Sequence, residues 1–192
     1  MKALAINGSP RNNGNTAVLL RKMLNELEIE GIATELIQLS GKKLNGCIAC
    51  YKCFEAKNGR CAKDDDFANE CIGKMREADA IILGSPTYFA DCTAAMKALI
   101  ERAGFVARAN SDMFRRKVGA AVVSVRRAGA IHAFDSVNHF FTITQMIIIG
   151  SSYWNIGIGR EKGEVEKDEE GLATMTTLGK NMAWVMKKLH QK

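Results

Sequence analysis

Residues 2–31 read KALAINGSPRNNGNTAVLLRKMLNELEIEG, and the way this stretch divides decides the fold. "KALAING" is a short apolar run ending in Gly, the form of a strand buried on both faces. From Thr16 the period changes: Ala17, Leu20, Leu24 and Leu27 fall along one helical face, and Gly31 stands where a helix ends. Between the two lies NGSPRNNGNT, residues 7–16. Gly8 and Gly14 permit tight turns, and Ser9, Asn15 and Thr16 supply short polar side chains. The helix that follows directs free N–H groups into the loop, and together they make a phosphate cradle. Arg11 adds a charge-assisted contact. The loop is not a Walker loop, since no Lys precedes its Ser or Thr, and it is not the dinucleotide fingerprint. Pro, Asn and Gly also make plain turns; the position between first strand and first helix favours the phosphate.

The same punctuation recurs along the chain. "ADAIILGSP" (78–86) and "VGAAVVSV" (118–125) repeat the buried-strand form, "TELIQL" (34–39) alternates as an edge or near-edge strand, and "QMIIIG" (145–150) makes a fifth. Helices are expected over "FANECIGKMREA" (67–78), behind Asp64, Asp65 and Asp66, and over "AAMKALIERAGFVAR" (94–108). "LATMTTLGKNMAWVMKKLH" (172–190) closes the chain as a helix with cations in its last turns. Strands alternating with helices imply right-handed crossovers and an open, doubly wound α/β sheet of three layers. The chain has 192 residues, 47% of them hydrophobic and 25% charged, enough for one domain with a real core. No signal-peptide pattern opens it and no run is long enough to span a bilayer, so no membrane role and a cytoplasmic setting are expected. The formal net charge of +6 suits anionic partners, yet Lys and Arg are scattered without interleaved aromatics, which argues against nucleic acid.

In such a sheet the ligand lies at the carboxyl ends of the strands. The loop after the third strand is "GSPTYFADC" (84–92), where Gly84 and Pro86 force an irregular turn and Thr87, Tyr88 and Phe89 bring a hydroxyl and two aromatic faces. Aromatic packing against the next helix would explain the rings equally well on its own. Beside a monophosphate cradle on the adjacent strand, they suggest a flat ring carrying one phosphate, which flavin mononucleotide (FMN) fits.

"GSPRNNGNT", "GSPTYF" and a cysteine-rich loop followed by "DDDF" together resemble the flavodoxin-like NAD(P)H-dependent FMN reductases, and in particular the iron-sulfur flavoproteins of anaerobic bacteria and archaea. The resemblance covers most of the chain in order. It implies a flavodoxin-like, five-stranded fold in which Ser9, Arg11, Asn15 and Thr16 bind the FMN phosphate. It also implies that Pro86, Thr87, Tyr88 and Phe89 line the isoalloxazine ring. A fourth-strand loop with paired glycines closes the flavin site in the family; here "SVRRAGA" keeps only Gly129, and Ser124, Arg126 and Gly129 are the corresponding contacts. The family is usually dimeric or tetrameric, which makes a homodimer or homotetramer the expectation.

The cysteine loop, "GCIACYKCFEAKNGRC" (46–61), holds four of the chain's six cysteines. Thiolates spaced C-x2-C-x2-C can reach three corners of a compact metal centre, and Cys61 can close the set. Lys52, Lys57, Arg60 and Lys63 surround it with positive charge, which offsets a cluster of thiolates. Zinc also accepts four cysteines, though its ribbons present two separated knuckles, and redox-active or idle thiols need no metal. The resemblance implies a [4Fe–4S] cluster on Cys47, Cys50, Cys53 and Cys61. Residues 45–63 then form an insertion in a single FMN-binding domain of residues 1–192. Cys71 and Cys92 are expected inside helices as small core residues. His132, His139 and His190 show no ligand spacing.

"EVEKDEEG" (164–171) reads as a solvated face or the capped start of the last helix. "SSYWNIGIG" (151–159) sets Tyr and Trp in a Gly-rich loop and reads as an interface or a cover of the flavin site. The expectation is an FMN-dependent oxidoreductase relaying electrons from a donor, ferredoxin or NAD(P)H, to an acceptor. A metal-free FMN or quinone reductase, and a flavodoxin-type carrier or redox sensor without turnover, are the alternatives.

Overall fold

The computed structural model describes residues 1–191. β1 (Lys2–Asn7) pairs in parallel with β2 (Ala33–Gln38) on one side and β3 (Ala80–Pro86) on the other. β3 pairs with β4 (Val118–Val125), and β4 with β5 (Ile147–Ile148), so the order is β2-β1-β3-β4-β5 and the reversal lies beside β1. α1 (Asn15–Ile29) and α6 (Glu169–His190) pack on one face; α3 (Ala68–Glu77), α4 (Ala94–Ala109) and α5 (Ala130–Ile143) cover the other. The strands divide their side chains between these layers by simple alternation. Leu4, Ile6, Ile81 and Leu83 face α3, α4 and α5, while Ala3, Ala5, Ala80 and Ile82 face α1 and α6. Both sets are fully buried, each large side chain contributing about 1.5–3 kcal/mol, and that is why the strands read as unbroken apolar runs. β2 is an edge strand, as its mixed burial requires.

The fifth strand departs from expectation. Only two residues of "QMIIIG" pair with β4, and a sixth strand, β6 (Ile156–Ile158), returns to the same edge of β4 farther along. Asn155 fills the gap between them: its side chain, 2% exposed, donates to the Ala121 carbonyl at 3.0 Å, and its own carbonyl accepts from Val123 N at 2.9 Å. One amide thus satisfies the backbone groups that an interrupted ladder would leave orphaned.

α5 was not foreseen from its sequence, nor was a short helix inside the cysteine loop, α2 (Lys52–Ala56). The acidic run resolves into a 3-10 turn (Glu164–Lys167) and the cap of α6, where the Asp168 carboxylate accepts from Gly171 N at 3.0 Å. Cys71 is buried in α3. Cys92 is also buried but precedes α4 rather than lying in it, because Thr93 is the N-cap, its hydroxyl oxygen accepting from Met96 N at 3.3 Å. Burial pushes both thiols up to about 12, so they are inert core groups. No helix among the described residues is long and apolar enough to cross a membrane.

Candidate active site and thiol pocket

The loop from β1 to α1 is held by neighbours on both sides before it meets any ligand. Asn7 accepts from Ser9 N at 3.0 Å and donates to Gln38, whose amide donates in turn to the Ser9 carbonyl at 2.6 Å. The Ser9 hydroxyl accepts from Arg11 N at 3.2 Å, and the Thr93 hydroxyl donates to the Gly8 carbonyl at 2.8 Å. α1 begins at Gly14 with no side-chain cap, so its first N–H groups are left for an anion.

Beside this loop lies a cleft with about 650 Å³ of empty space, part of it open to solvent. Ser9, Arg11, Asn15 and Thr16 line it from the first loop, Pro86, Thr87 and Tyr88 from the end of β3, and Ser124 and Arg126 from the end of β4. Nine of the eleven residues expected from the sequence at a flavin therefore meet in one cleft. Thr16 and Ser124 share a buried hydroxyl–hydroxyl bond of 2.7 Å that ties the first loop to β4. The Thr87 hydroxyl is buried without a hydrogen-bond partner, an arrangement native proteins avoid unless a ligand completes it. An orphan hydroxyl in the cleft wall and an uncapped helix start fit a polar ring edge and a phosphate, so the residues present suit FMN.

Two expected contacts stand apart. Tyr88 and Asp91 exchange backbone hydrogen bonds of 2.8 and 3.0 Å, and the two residues between them, Phe89 and Ala90, both take positive φ, as in a type I′ hairpin turn. That turn carries the Phe89 ring to its tip, fully exposed and outside the cleft. Gly129 (φ +86) starts α5 and is packed against Ala90 and Thr87, behind the wall rather than in it.

Val125 and Arg160 also line the cleft and were missed, while Gly159, the last residue of the segment read as an interface or a flavin-site cover, does reach it. Gly159 is required by a close approach: a Cβ there would sit 2.6 Å from Val165 N and 2.8 Å from the Asn15 side chain. Asn15 in turn accepts from Gly163 N at 2.9 Å, and Arg11 donates to the Arg160 carbonyl at 3.2 Å, so segment 159–165 is fastened to the first loop. The Glu164 carboxylate, held below its usual range by the N–H groups of Glu161 and Arg160, fixes the turn itself. Tyr153 and Trp154, edge to face at 4.7 Å, are both more than half exposed and do not reach the cleft.

A second pocket holds the sulfur. Cys47, Cys50, Cys53 and Cys61 line one narrow pocket whose far wall is α4 through Arg102, Phe105 and Val106. All four thiols are free. The chain returns to this pocket through left-handed turns at Ala49, Tyr51 and Lys57, a costly backbone for such residues. Glu101 accepts from Cys47 N at 3.2 Å, and Asn69 both accepts from Cys61 N at 2.8 Å and donates to its carbonyl at 2.9 Å. Burial raises the Cys53 thiol, with Cys61 and Cys47 adding to the shift, so these sulfurs feel one another. Among the described residues no three His, Cys, Asp or Glu side chains stand as a single-ion site. Four cysteine thiols around one cavity are a donor set that either zinc or an iron–sulfur centre would accept.

A parallel sheet in this order, with a polar cleft across the carboxyl ends of its central strands, defines a flavodoxin-like α/β protein. The chain belongs to the NADPH-dependent FMN reductase family, whose model matches residues 1–161. It is 41% identical over 199 residues to the iron-sulfur flavoprotein MJ1083 of Methanocaldococcus jannaschii, covering 97% of this chain and 98% of that one. A second iron-sulfur flavoprotein of that organism, MJ0731, is 33% identical with 91% of each chain covered. The WrbA-like flavodoxin of Agrobacterium tumefaciens superposes with a TM-score of 0.67 over 97% of both chains at 14% identity, which shows the fold alone. The chain is thus a flavin-dependent oxidoreductase.

Proposed function

We propose that the protein is an FMN-dependent electron-transfer oxidoreductase that carries a [4Fe–4S] cluster on Cys47, Cys50, Cys53 and Cys61. The observation that carries this reading is the convergence of all four thiols on one cavity against α4. The names of the relatives, iron-sulfur flavoproteins, support it. Residues 1–192 form one FMN-binding domain in this reading, with 45–63 as an insertion into it.

Ser9, Arg11, Asn15, Thr16 and the start of α1 would hold the phosphate, Pro86, Thr87 and Tyr88 the ring, with Ser124 and Arg126 on its other flank. Bound there, FMN supplies hydride or two-electron chemistry, and the cluster supplies single-electron transfer. The chain's own contribution is positioning: Thr87 offers its unpaired hydroxyl to the ring edge, Gly129 supports Thr87 from behind, and segment 159–165 closes the cleft over Arg11. Ferredoxin, whose acidic surface would suit the +6 charge, or NAD(P)H is the donor. The exposed Tyr153, Trp154 and Ile158 are offered to a second copy, in a homodimer or homotetramer.

Anaerobic purification, an absorption spectrum and iron and sulfide assays test the proposal. About four irons and four sulfides beside one FMN are expected. Cys53→Ala should lose iron and keep FMN. Pure flavin bands after anaerobic reconstitution would refute the cluster and leave a metal-free reductase.

A further inference from the structure

We infer that Arg102 holds the cysteine loop shut from α4 and donates a charged hydrogen bond to the sulfur centre inside it, which makes Arg102 the residue that sets that centre's reduction potential. The inference rests on the cluster reading above. The Arg102 side chain is 1% exposed and the Asp66 carboxylate paired with it 0%. A buried guanidinium is uncommon in a chain of this size and calls for a reason.

Part of the reason is mechanical. Nη1 donates to the Asn45 carbonyl at 3.3 Å and to Asp66, and Nη2 donates to the Lys63 carbonyl. Asp66 closes the circuit by accepting from the backbone and side-chain amides of Asn45, at 3.0 and 3.1 Å. Residues 45 and 63 are the two ends of the cysteine loop, so one guanidinium and one carboxylate gather both. A planar fork with several donors suits that task where an ammonium does not.

Loop closure leaves Nε unexplained. It is buried and has no acceptor, although its residue forms part of the wall of the thiol cavity. Cys61 lines the same cavity, and an arginine guanidinium keeps its charge. Of the residues lining the cavity the other cation, Lys63, is part-exposed, so Arg102 is the positive charge least screened by water. A thiolate ligand or a bridging sulfide supplies the acceptor that Nε lacks. Positive charge and hydrogen bonds to sulfur favour the reduced, more negative form of such a centre and raise its potential.

The test compares wild type with Arg102→Lys and with the double variant Arg102→Met, Asp66→Asn, which removes both charges so that neither ion is stranded. Each is reconstituted anaerobically and assayed for iron, for sulfide, and for the midpoint potential of the iron signal in an electron paramagnetic resonance titration, with the FMN couple as internal reference. Both variants should show a more negative iron midpoint through the lost Nε hydrogen bond, since the double variant removes an ion pair whose two charges largely cancel, with the FMN midpoint unmoved. The metal-free double variant should also be cut by trypsin within 45–63 at least roughly tenfold faster than wild type, since it loses the charge-assisted bonds from Arg102 to both ends of the loop. Iron-replete variants with an unmoved or more positive midpoint overturn the inference, since loop closure alone would not move a potential. Wild-type protein that takes up no iron overturns the cluster reading and this inference together, a result distinct from loaded variants with an unchanged midpoint.

Discussion

Gly159→Ala isolates the fastening between segment 159–165 and the flavin cleft. The added methyl would lie 2.6 Å from Val165 N, 2.8 Å from the Asn15 amide and 3.1 Å from Val165 Cα. Two of these neighbours are backbone of a fully buried residue and cannot swing aside. The strain goes into the loop or into Asn15, which holds Gly163 N and lines the cleft. Overpacking of this kind costs about 1–3 kcal/mol, and for a chain of this length each kcal/mol lowers Tm by roughly 2–4 °C. A fall in Tm of roughly 2–12 °C is therefore expected. If Asn15 gives way, FMN loses one hydrogen bond to its charged phosphate, an affinity loss of roughly tenfold to a hundredfold, read by titrating apoprotein against the quenching of FMN fluorescence. Gly150→Ala is the control: nothing lies within 4 Å of its Cβ, so it should be neutral or stabilise by about 0.4–1 kcal/mol. A Gly159→Ala protein with wild-type Tm and FMN affinity, or a Gly150→Ala protein equally damaged, would refute the reasoning.

Arg11→Ala should weaken FMN by roughly tenfold to a hundredfold, the range of a hydrogen bond to a charged group, and lower apoprotein Tm by about 1–6 °C through the lost bond to the Arg160 carbonyl, while Phe89→Ala should leave FMN affinity unchanged because its ring lies outside the cleft. Equal effects of the two in the same titration would mean that the cleft does not bind the phosphate. Glu35 is held below its usual range by Lys2 and then Lys74, so its contribution is present above the unfolded value of about 4.5 and is lost as pH falls through the lower folded value. Urea midpoints of wild type should thus fall more steeply below about pH 4.5 than those of Glu35→Gln; parallel profiles would show that the pair carries no such coupling.

The sequence made the central strands and the first loop legible because burial on both faces leaves an apolar run that a loop of Gly, Ser and Asn interrupts sharply. It concealed α5, whose "FDSVNHFFTI" mixes aromatic, β-branched and short polar residues of weak helical preference, and which tertiary packing of Val137, Phe140 and Phe141 holds in place. β6 is three residues long, too short for any period, and exists because Asn155 bridges the ladder before it. At the cleft, Phe89 was expected as a ring partner for its aromatic face and from the family resemblance, and an I′ turn carries its ring away. Arg102 passes unmarked inside "AAMKALIERAGFVAR". Its burial depends on Asn45, Lys63 and Asp66, residues more than thirty positions away, and no local pattern announces such a meeting.

α4 starts at Thr93, whose hydroxyl holds the phosphate loop at Gly8, and nine residues later presents Arg102 to the sulfur cavity. At about 1.5 Å per residue, the first half of that helix is a ruler of roughly 14 Å from the Gly8 loop to the sulfur cavity. Loops at either site can lengthen or change their side chains over time without altering that interval. One residue inserted into the rod would not be so forgiving: it would lengthen the interval by about 1.5 Å and turn the sulfur end by about 100°, so this helix is where a length change is least tolerated.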